Sequence, residues 1–449
     1  MESPDARKPH HPAEQTERGL VRSLGVRSLA ASILNVTVGG GIFIVPALVA
    51  AGLGAAAPLA YLACSVAFGL IVLCFAEAGS RVSLTGGPYV YVGTVFGPFV
   101  GYLSNVLLLL IGVIAHAAVA SAFAQALNAL VPGAGMGAWR AALIVCTFAL
   151  LAAVNARGVS TGARLVEAAT VAKLLPLAVF VLFGAFAVSR QNLVWPTMPR
   201  AADIGRMSIV LVFAFSGVES ALVPSGEIKD PSRTVPRAIA IAMIAVTLLY
   251  VTVQLVAQGI LGAELPRFTD GPLAAAAGRA FGPAGALLLL VGAAISMFGY
   301  ISGMMLAMPR TVYAFARDGY LPRALARVHP DSHAPVAAIV TYAVIVSLLA
   351  LSGSFQSLAI LSNISALLLY LICSAAAFEL RRRNVQSGGT PFRVPGGALV
   401  PVLSVIVILI LLSNATVREM LAIGTALAVG IALYFLKGRT VREADAPIA

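Results

Sequence analysis

The chain has 449 residues, of which 59% are hydrophobic and only 11% are charged, and its mean hydropathy is +0.95. Soluble proteins carry about 25% charged residues, so this composition excludes a soluble globular protein. The net charge of +12 comes without a basic face interleaved with aromatic residues, so no nucleic-acid partner is indicated. Recurrent apolar runs of roughly 20 residues predict an all-α polytopic membrane protein in a lipid bilayer.

The N-terminal stretch is polar and contains proline, which predicts a disordered tail over residues 1–28. No cleavable signal sequence precedes the first apolar segment, so that segment is expected to direct insertion. Twelve transmembrane segments are predicted, at 29–51, 58–78, 99–127, 141–154, 165–188, 209–224, 238–262, 283–308, 336–352, 358–378, 398–413 and 420–436. Residues 437–449 form a second tail.

Basic residues predict the orientation of these segments. If the N-terminus is cytoplasmic, inner loops and tails hold 22 of the 30 Lys and Arg residues, outer loops hold seven, and Lys173 lies within a span. The excess on one side predicts that both termini are cytoplasmic. We therefore expect a multi-pass protein of the cell (plasma) membrane.

Two apolar segments carry residues that interrupt helices. "NVTVGGGIFIVPA" (35–47) contains three consecutive glycines and a proline, and "VFAFSGVESALVPSGEIKDPSRTVPRA" (212–238) contains Gly217, Glu219 and Pro224. They are segments 1 and 6, which correspond if the first ten segments form two halves of five with opposite orientation. Paired interruptions of this kind indicate a transporter site. The alternative is that the glycines only allow close helix packing.

The interruptions also predict a ligand. Unwinding at Gly39, Gly40 and Gly41 exposes N–H groups that favour an anion at a helix N-terminus. Carbonyl groups around Phe213, Ala214 and Phe215 can accept hydrogen bonds from a cation. An α-amino acid carries both charges side by side, so it is the predicted substrate.

Ionisable residues inside the spans are a second indication, because such residues are costly and usually functional. Lys173 lies nine residues after Arg164, which is about 13 Å along a helix. It is a candidate for proton exchange or a structural ammonium that binds carbonyls of segment 1. His116 is either a pocket residue or a satisfied core histidine, and Glu219 contacts ligand or links helices.

The sequence resembles the amino acid–polyamine–organocation (APC) transporter superfamily, whose members include amino acid permeases. The resemblance rests on "GGGIFIVPA", "FSGVESALVPSGEIKDPSRTVPRA" and "RTVYAFARDGYLPRALARVHP" and extends over about 28–436. It implies a LeuT-like fold with broken helices 1 and 6. The first five-helix repeat would cover 29–188, the inverted second repeat 209–380, and two peripheral helices 398–436.

The resemblance also implies roles for individual residues. The substrate carboxylate would lie against Gly39, Gly40 and Gly41. Its ammonium would lie against Phe213, Ala214 and Ser216, with Phe215 as an aromatic gate. Lys173 resembles a segment-5 lysine that replaces sodium in some members. The arginine/agmatine antiporter branch lacks this lysine and has tryptophan and asparagine where Phe213 and His116 stand, which favours neutral or apolar substrates here.

The predicted function is secondary active transport of amino acids by alternating access, with proton symport through Lys173. An exchanger or exporter of amino acids or polyamines on the same fold is the alternative. A membrane enzyme is disfavoured because the HExxH motif is absent. A channel is disfavoured because the chain has no TVGYG-type filter. No cofactor or metal site is indicated, and the four cysteines have no metal-like spacing.

Overall fold

The computed structural model describes residues 24–444 except 83–85, 196, 224, 226, 227, 270, 331, 333, 354, 387–389 and 414. Sixteen α-helices are formed within these residues. They are α1 (Val26–Thr37), α2 (Gly41–Leu53), α3 (Ala57–Arg81), α4 (Pro88–Phe96), α5 (Pro98–Leu130), α6 (Gly137–Ala156), α7 (Val159–Gly184), α8 (Ala201–Phe215), α9 (Val218–Ala221), α10 (Pro231–Leu261), α11 (Pro272–Phe281), α12 (Pro283–Arg317), α13 (Val336–Ser352), α14 (Phe355–Arg382), α15 (Leu399–Leu412) and α16 (Val417–Ala444).

The prediction of an all-α polytopic membrane protein is confirmed. Nine helical segments of the described chain are long and apolar enough to cross a bilayer, and α13 and α15 are shorter apolar helices. Large apolar side chains are exposed along these helices; Phe186, for example, is 89% exposed. Such a surface suits lipid rather than water.

The helix ends differ from the predicted tails. Helix α1 begins at Val26, inside the predicted 1–28 tail, and α16 continues to Ala444, inside the predicted 437–449 tail. Leu24 also pairs with Ile228 in an isolated parallel bridge, in which the Lys229 amide donates to the Leu24 carbonyl over 2.9 Å. Residues 1–23 and 445–449 lie outside the described residues.

Segment 1 is divided into α1 and α2 by residues 38–40. Glycine is a poor helix former because it loses the most backbone freedom on ordering. Two of the three glycines are also crowded. A Cβ atom on Gly39 would lie 3.0 Å from the Tyr300 ring, and one on Gly41 would lie 3.2 Å from Ala214. The glycines therefore both favour the interruption and admit the neighbouring helices.

Segment 6 is divided into α8 and the four-residue α9 by Ser216 and Gly217. Gly217 has a φ of +136°, a conformation that other residues rarely adopt. A Cβ atom at this position would lie 2.9 Å from Cγ1 of Val36 and 3.1 Å from the Thr37 amide nitrogen. The two interruptions therefore contact each other. Pro224, predicted to contribute to this break, lies outside the described residues.

A buried ionic cluster joins α3 to α14 away from the interruptions. Glu77 is 1% exposed, and its Oε1 accepts from Nε and Nη2 of Arg81 over 3.1 and 2.9 Å. Arg381 donates from Nε to the same oxygen over 2.7 Å and from Nη2 to Oε2. The Val394 amide donates to Oε2 over 3.2 Å. One carboxylate thus connects both helices and the chain that follows α14.

Candidate functional site

A cavity lies between the two helix interruptions, with α5 and α12 completing its wall. The part of it that a water-sized sphere can occupy is about 20 Å³, which is roughly room for one water molecule. Its lining residues are Val36, Thr37, Gly39, Gly40, Gly41, Ile111, Ala115, Val119, Phe213, Ser216, Gly217, Glu219, Ser220, Tyr300, Met304 and Ser362. Among these lining residues Glu219 is the one charged side chain, and most of the wall contributed by α5 and α12 is apolar.

The N-terminus of α2 faces this cavity. A helix leaves its first N–H groups without intrahelical partners. The N–H groups of Gly40, Gly41 and Ile42 have no hydrogen-bond partner among the residues that the structure describes. The positive end of the helix dipole lies at the same point. The arrangement can bind a carboxylate, which is the chemistry predicted for the glycine stretch.

The carbonyl groups released by the first interruption bind buried donors. Lys173 on α7 is fully buried, and its Nζ donates to the carbonyl oxygens of Asn35 over 2.5 Å and Val38 over 2.7 Å. Oγ of Ser296 lies 3.1 Å from the Val38 oxygen and 3.0 Å from the Gly39 oxygen. An unsatisfied carbonyl in a membrane costs several kcal/mol, so these contacts stabilise the interruption. Lys173 does not line the cavity.

At the end of α8, the structure places only part of the predicted set in the cavity. Phe213 and Ser216 line it, whereas Ala214 and Phe215 do not. Phe215 is fully buried, with its ring centroid 6.1 Å from that of Phe68 and 5.3 Å from that of Tyr250. Successive helical residues point about 100° apart, so Phe213 and Phe215 cannot share one face. Phe213 is therefore the aromatic residue at the cavity.

A tyrosine hydroxyl connects the two interruptions. Oη of Tyr250 on α10 lies 2.9 Å from the Thr37 carbonyl oxygen and 2.9 Å from the Ala214 carbonyl oxygen. The single hydroxyl proton can be donated to either carbonyl oxygen. The contact holds the end of α1 beside the end of α8.

Glu219 is 1% exposed and lines the cavity from α9. Its Oε2 accepts hydrogen bonds from the Gly217 amide over 3.0 Å and from Oη of Tyr370 over 2.8 Å. The carboxyl group therefore holds the second interruption in shape and connects it to α14. This position fits both roles predicted for Glu219, which were to link helices and to contact the ligand.

The structure places His116 behind the cavity wall rather than in it. The ring is fully buried among Phe148, Tyr300 and Tyr342. Its Nδ1 lies 3.1 Å from Oη of Tyr342, whose proton is directed to the Gly112 carbonyl oxygen over 3.0 Å. The tyrosine oxygen then accepts from Nδ1–H of the imidazole ring. His116 supports Tyr300, which itself lines the cavity.

Several residues of the site were not predicted. Tyr250, Ser296, Tyr300 and Tyr370 make the contacts described above, and each lies in a long apolar run. A buried hydroxyl in an apolar span needs a hydrogen-bond partner. The presence of these hydroxyl groups in apolar runs could therefore have indicated that they take part in the site. The sequence does not show which hydroxyl meets which carbonyl.

An apolar multi-pass helical fold, with a cavity between two interrupted helices, is typical of membrane transporters. The chain belongs to the amino acid permease family, whose sequence profile matches residues 24–436. This match confirms the resemblance to amino acid permeases of the APC superfamily. Members of this family are transporters rather than enzymes, as predicted.

Relatives are similar over nearly the whole chain. The serine/threonine exchanger SteT of Bacillus subtilis is 26% identical, with 93% of this chain and 96% of that protein covered. The methylthioribose transporter of the same organism is 28% identical, with 95% of both chains covered. Its branched-chain amino acid permease BcaP is 24% identical, again with 95% of both covered. The family and the relatives named for amino acids support amino acid transport.

Proposed function

We propose that the protein is a secondary active transporter that carries neutral or apolar amino acids across the cell membrane by alternating access. The observation that carries the proposal is the meeting of two helix interruptions in one cavity. The unpaired N–H groups of Gly40 and Gly41 would bind the substrate carboxylate. The ammonium would lie against the end of α8 at Phe213 and Ser216.

The remaining wall of the cavity supports a neutral side chain. Ile111, Ala115, Val119 and Met304 line it without a formal charge. A charged side chain held against these residues would lose its hydration at a cost of several kcal/mol. The charged residue of the cavity lining, Glu219, already accepts hydrogen bonds from Gly217 and Tyr370. Relatives named for serine/threonine exchange and for branched-chain amino acids agree with small or apolar substrates.

We also propose that the chain crosses the membrane twelve times and that its first ten spans form a five-plus-five inverted repeat. α1 and α2 would together form the first span and α3 the second. Residues 29–188 would then form one repeat, 209–380 the inverted repeat, and 398–436 two peripheral helices. The basic residues described above support cytoplasmic termini in the plasma membrane.

For energetics, we propose proton symport through Lys173. Its ammonium holds the carbonyl oxygens of Asn35 and Val38 at the first interruption. Loss of the proton removes one donor and the positive charge, which weakens both contacts. Protonation would therefore be coupled to the shape of the carboxylate site. An exchanger is the second candidate, because SteT is named an exchanger; export or polyamine exchange would use the same fold.

The test is uptake of labelled neutral amino acids into proteoliposomes, with and without an inward proton gradient and with and without internal amino acid. Lys173→Ala is compared with Lys229→Ala, which removes an exposed lysine outside the site. Gradient-stimulated uptake lost only in Lys173→Ala supports symport. Uptake that ignores the gradient and requires internal substrate supports an exchanger with a structural Lys173. If labelled amines move and amino acids do not, the proposed substrate class is wrong.

A further inference from the structure

We propose that a groove between α3 and α10 binds an anionic phospholipid, with one acyl chain along the groove and the phosphate at Arg233 and Arg237. The groove is separate from the amino acid cavity and shares none of its lining residues. The part of it that a water-sized sphere can occupy is about 520 Å³. Its lining residues are Gly69, Val72, Leu73, Ala76, Ser232, Arg233, Pro236, Arg237, Ile239, Ala240, Met243, Ile244, Thr390 and Phe392.

The length of the groove suits an acyl chain. Along α10, Arg233 and Ile244 are eleven residues apart, which is about 16 Å at 1.5 Å per residue. One leaflet of the hydrocarbon core is about 15 Å thick. A chain that starts at the arginines would therefore reach the level of Ile244, which is 62% exposed.

Gly69 provides room at the apolar end of the groove. A Cβ atom at Gly69 would meet no protein atom within 4 Å. This glycine therefore does not serve close packing with a neighbouring helix. It leaves a depression on α3 that faces the apolar side chains of α10 and that hydrocarbon can fill.

The charged end of the groove favours an anion. The Arg233 side chain is 75% exposed, and its Nε lies 3.8 Å from Oδ2 of Asp230, a weak exposed pair. Arg237 is exposed and makes no ion pair within the described residues. The positive dipole end of α10, which begins at Pro231, lies at the same place. Guanidinium groups bind phosphate in a bidentate manner, and basic pockets between spans suit anionic head groups.

The experiment measures lipid preference at the groove with a tryptophan reporter. Trp139 and Trp195 are replaced by Phe, and Ile244→Trp is added. The protein is reconstituted in phosphatidylcholine vesicles that contain the same minor fraction of either brominated phosphatidylcholine or brominated phosphatidylglycerol. Bromine quenches tryptophan on contact. Each arginine near the membrane surface should raise the affinity for an anionic lipid about fivefold, and salt partly reduces this effect. For two arginines we therefore expect phosphatidylglycerol to be preferred over phosphatidylcholine by about tenfold.

Arg233→Gln with Arg237→Gln should bring the preference close to one. Arg323→Gln with Arg327→Gln removes the same charge from another loop and should leave the preference intact. Gly69→Leu should reduce quenching by both lipids, whereas Gly424→Leu, at another open helical glycine, should not. Equal quenching by both lipids in the reporter protein, or an unchanged preference after the Arg233/Arg237 change, overturns the proposal. This result is independent of whether the protein carries amino acids.

Discussion

Gly217→Ala should destabilise the junction of the two interruptions. A residue other than glycine at a φ of +136° is strained by about 1–3 kcal/mol. The new methyl group would also lie 3.1 Å from the Thr37 amide nitrogen, which is backbone at the end of α1 and cannot rotate away. Overpacking of this kind costs about 1–3 kcal/mol. We therefore expect the free energy of unfolding to fall by about 2–6 kcal/mol.

The matched control is Gly205→Ala within α8, where a Cβ atom meets nothing within 4 Å. Alanine there should be neutral or stabilise the helix by up to about 1 kcal/mol. Denaturant unfolding of both variants in detergent measures the difference, and proteoliposome uptake shows whether the cavity survives. Equal unfolding free energies for the two variants would refute the reasoning, because the position of Gly217 against α1 would then carry no constraint.

Two further predictions concern buried polar contacts. Tyr250→Phe removes the hydroxyl shared by the two carbonyl groups and should cost about 1–3 kcal/mol of unfolding free energy, whereas Tyr313→Phe, at a half-buried site, should cost little; similar losses in both would contradict the bridging role. Glu77→Gln leaves two arginines without their carboxylate and should cost about 3–5 kcal/mol. Glu264→Gln breaks an ion pair whose side chains are 43–50% exposed and should change stability by less than about 1 kcal/mol. Denaturant midpoints compare each pair, and an equal shift for both glutamates would show that burial of Glu77 is unimportant.

The interruptions were predictable because their cause is local. Three consecutive glycines in an apolar run disfavour a helix wherever the rest of the chain lies. Gly217 beside the buried Glu219 gave a similar signal in segment 6. The burial of Lys173 was also predictable, since an ionisable residue inside an apolar span is expected to lie away from lipid. In each case the residues that cause the feature can be identified in the local sequence.

The direction in which individual side chains point was harder to predict. Phe213 and Phe215 are both aromatic and both stand beside the break, yet only Phe213 reaches the cavity. Which of them does so depends on the rotation of α8, and that rotation is set by packing against α3 and α10. His116 shows the same limit, because the sequence indicates that it lies within an apolar segment, but its position behind Tyr300 depends on how α5 and α12 pack. Tertiary contacts decide such questions, and residue type alone does not.

The contacts of Lys173 and Ser296 with the first span join parts of the chain that are synthesised at different times. The carbonyl groups of Asn35 and Val38 bind an ammonium that is separated from them by 138 and 135 residues along the chain. The hydroxyl of Ser296, which also contacts Val38, is 258 residues away. When the first span enters the membrane, neither partner has been synthesised, and exposed carbonyls in lipid are costly. The carbonyl groups at the first interruption therefore gain these partners only when α7 and α12 have joined the bundle.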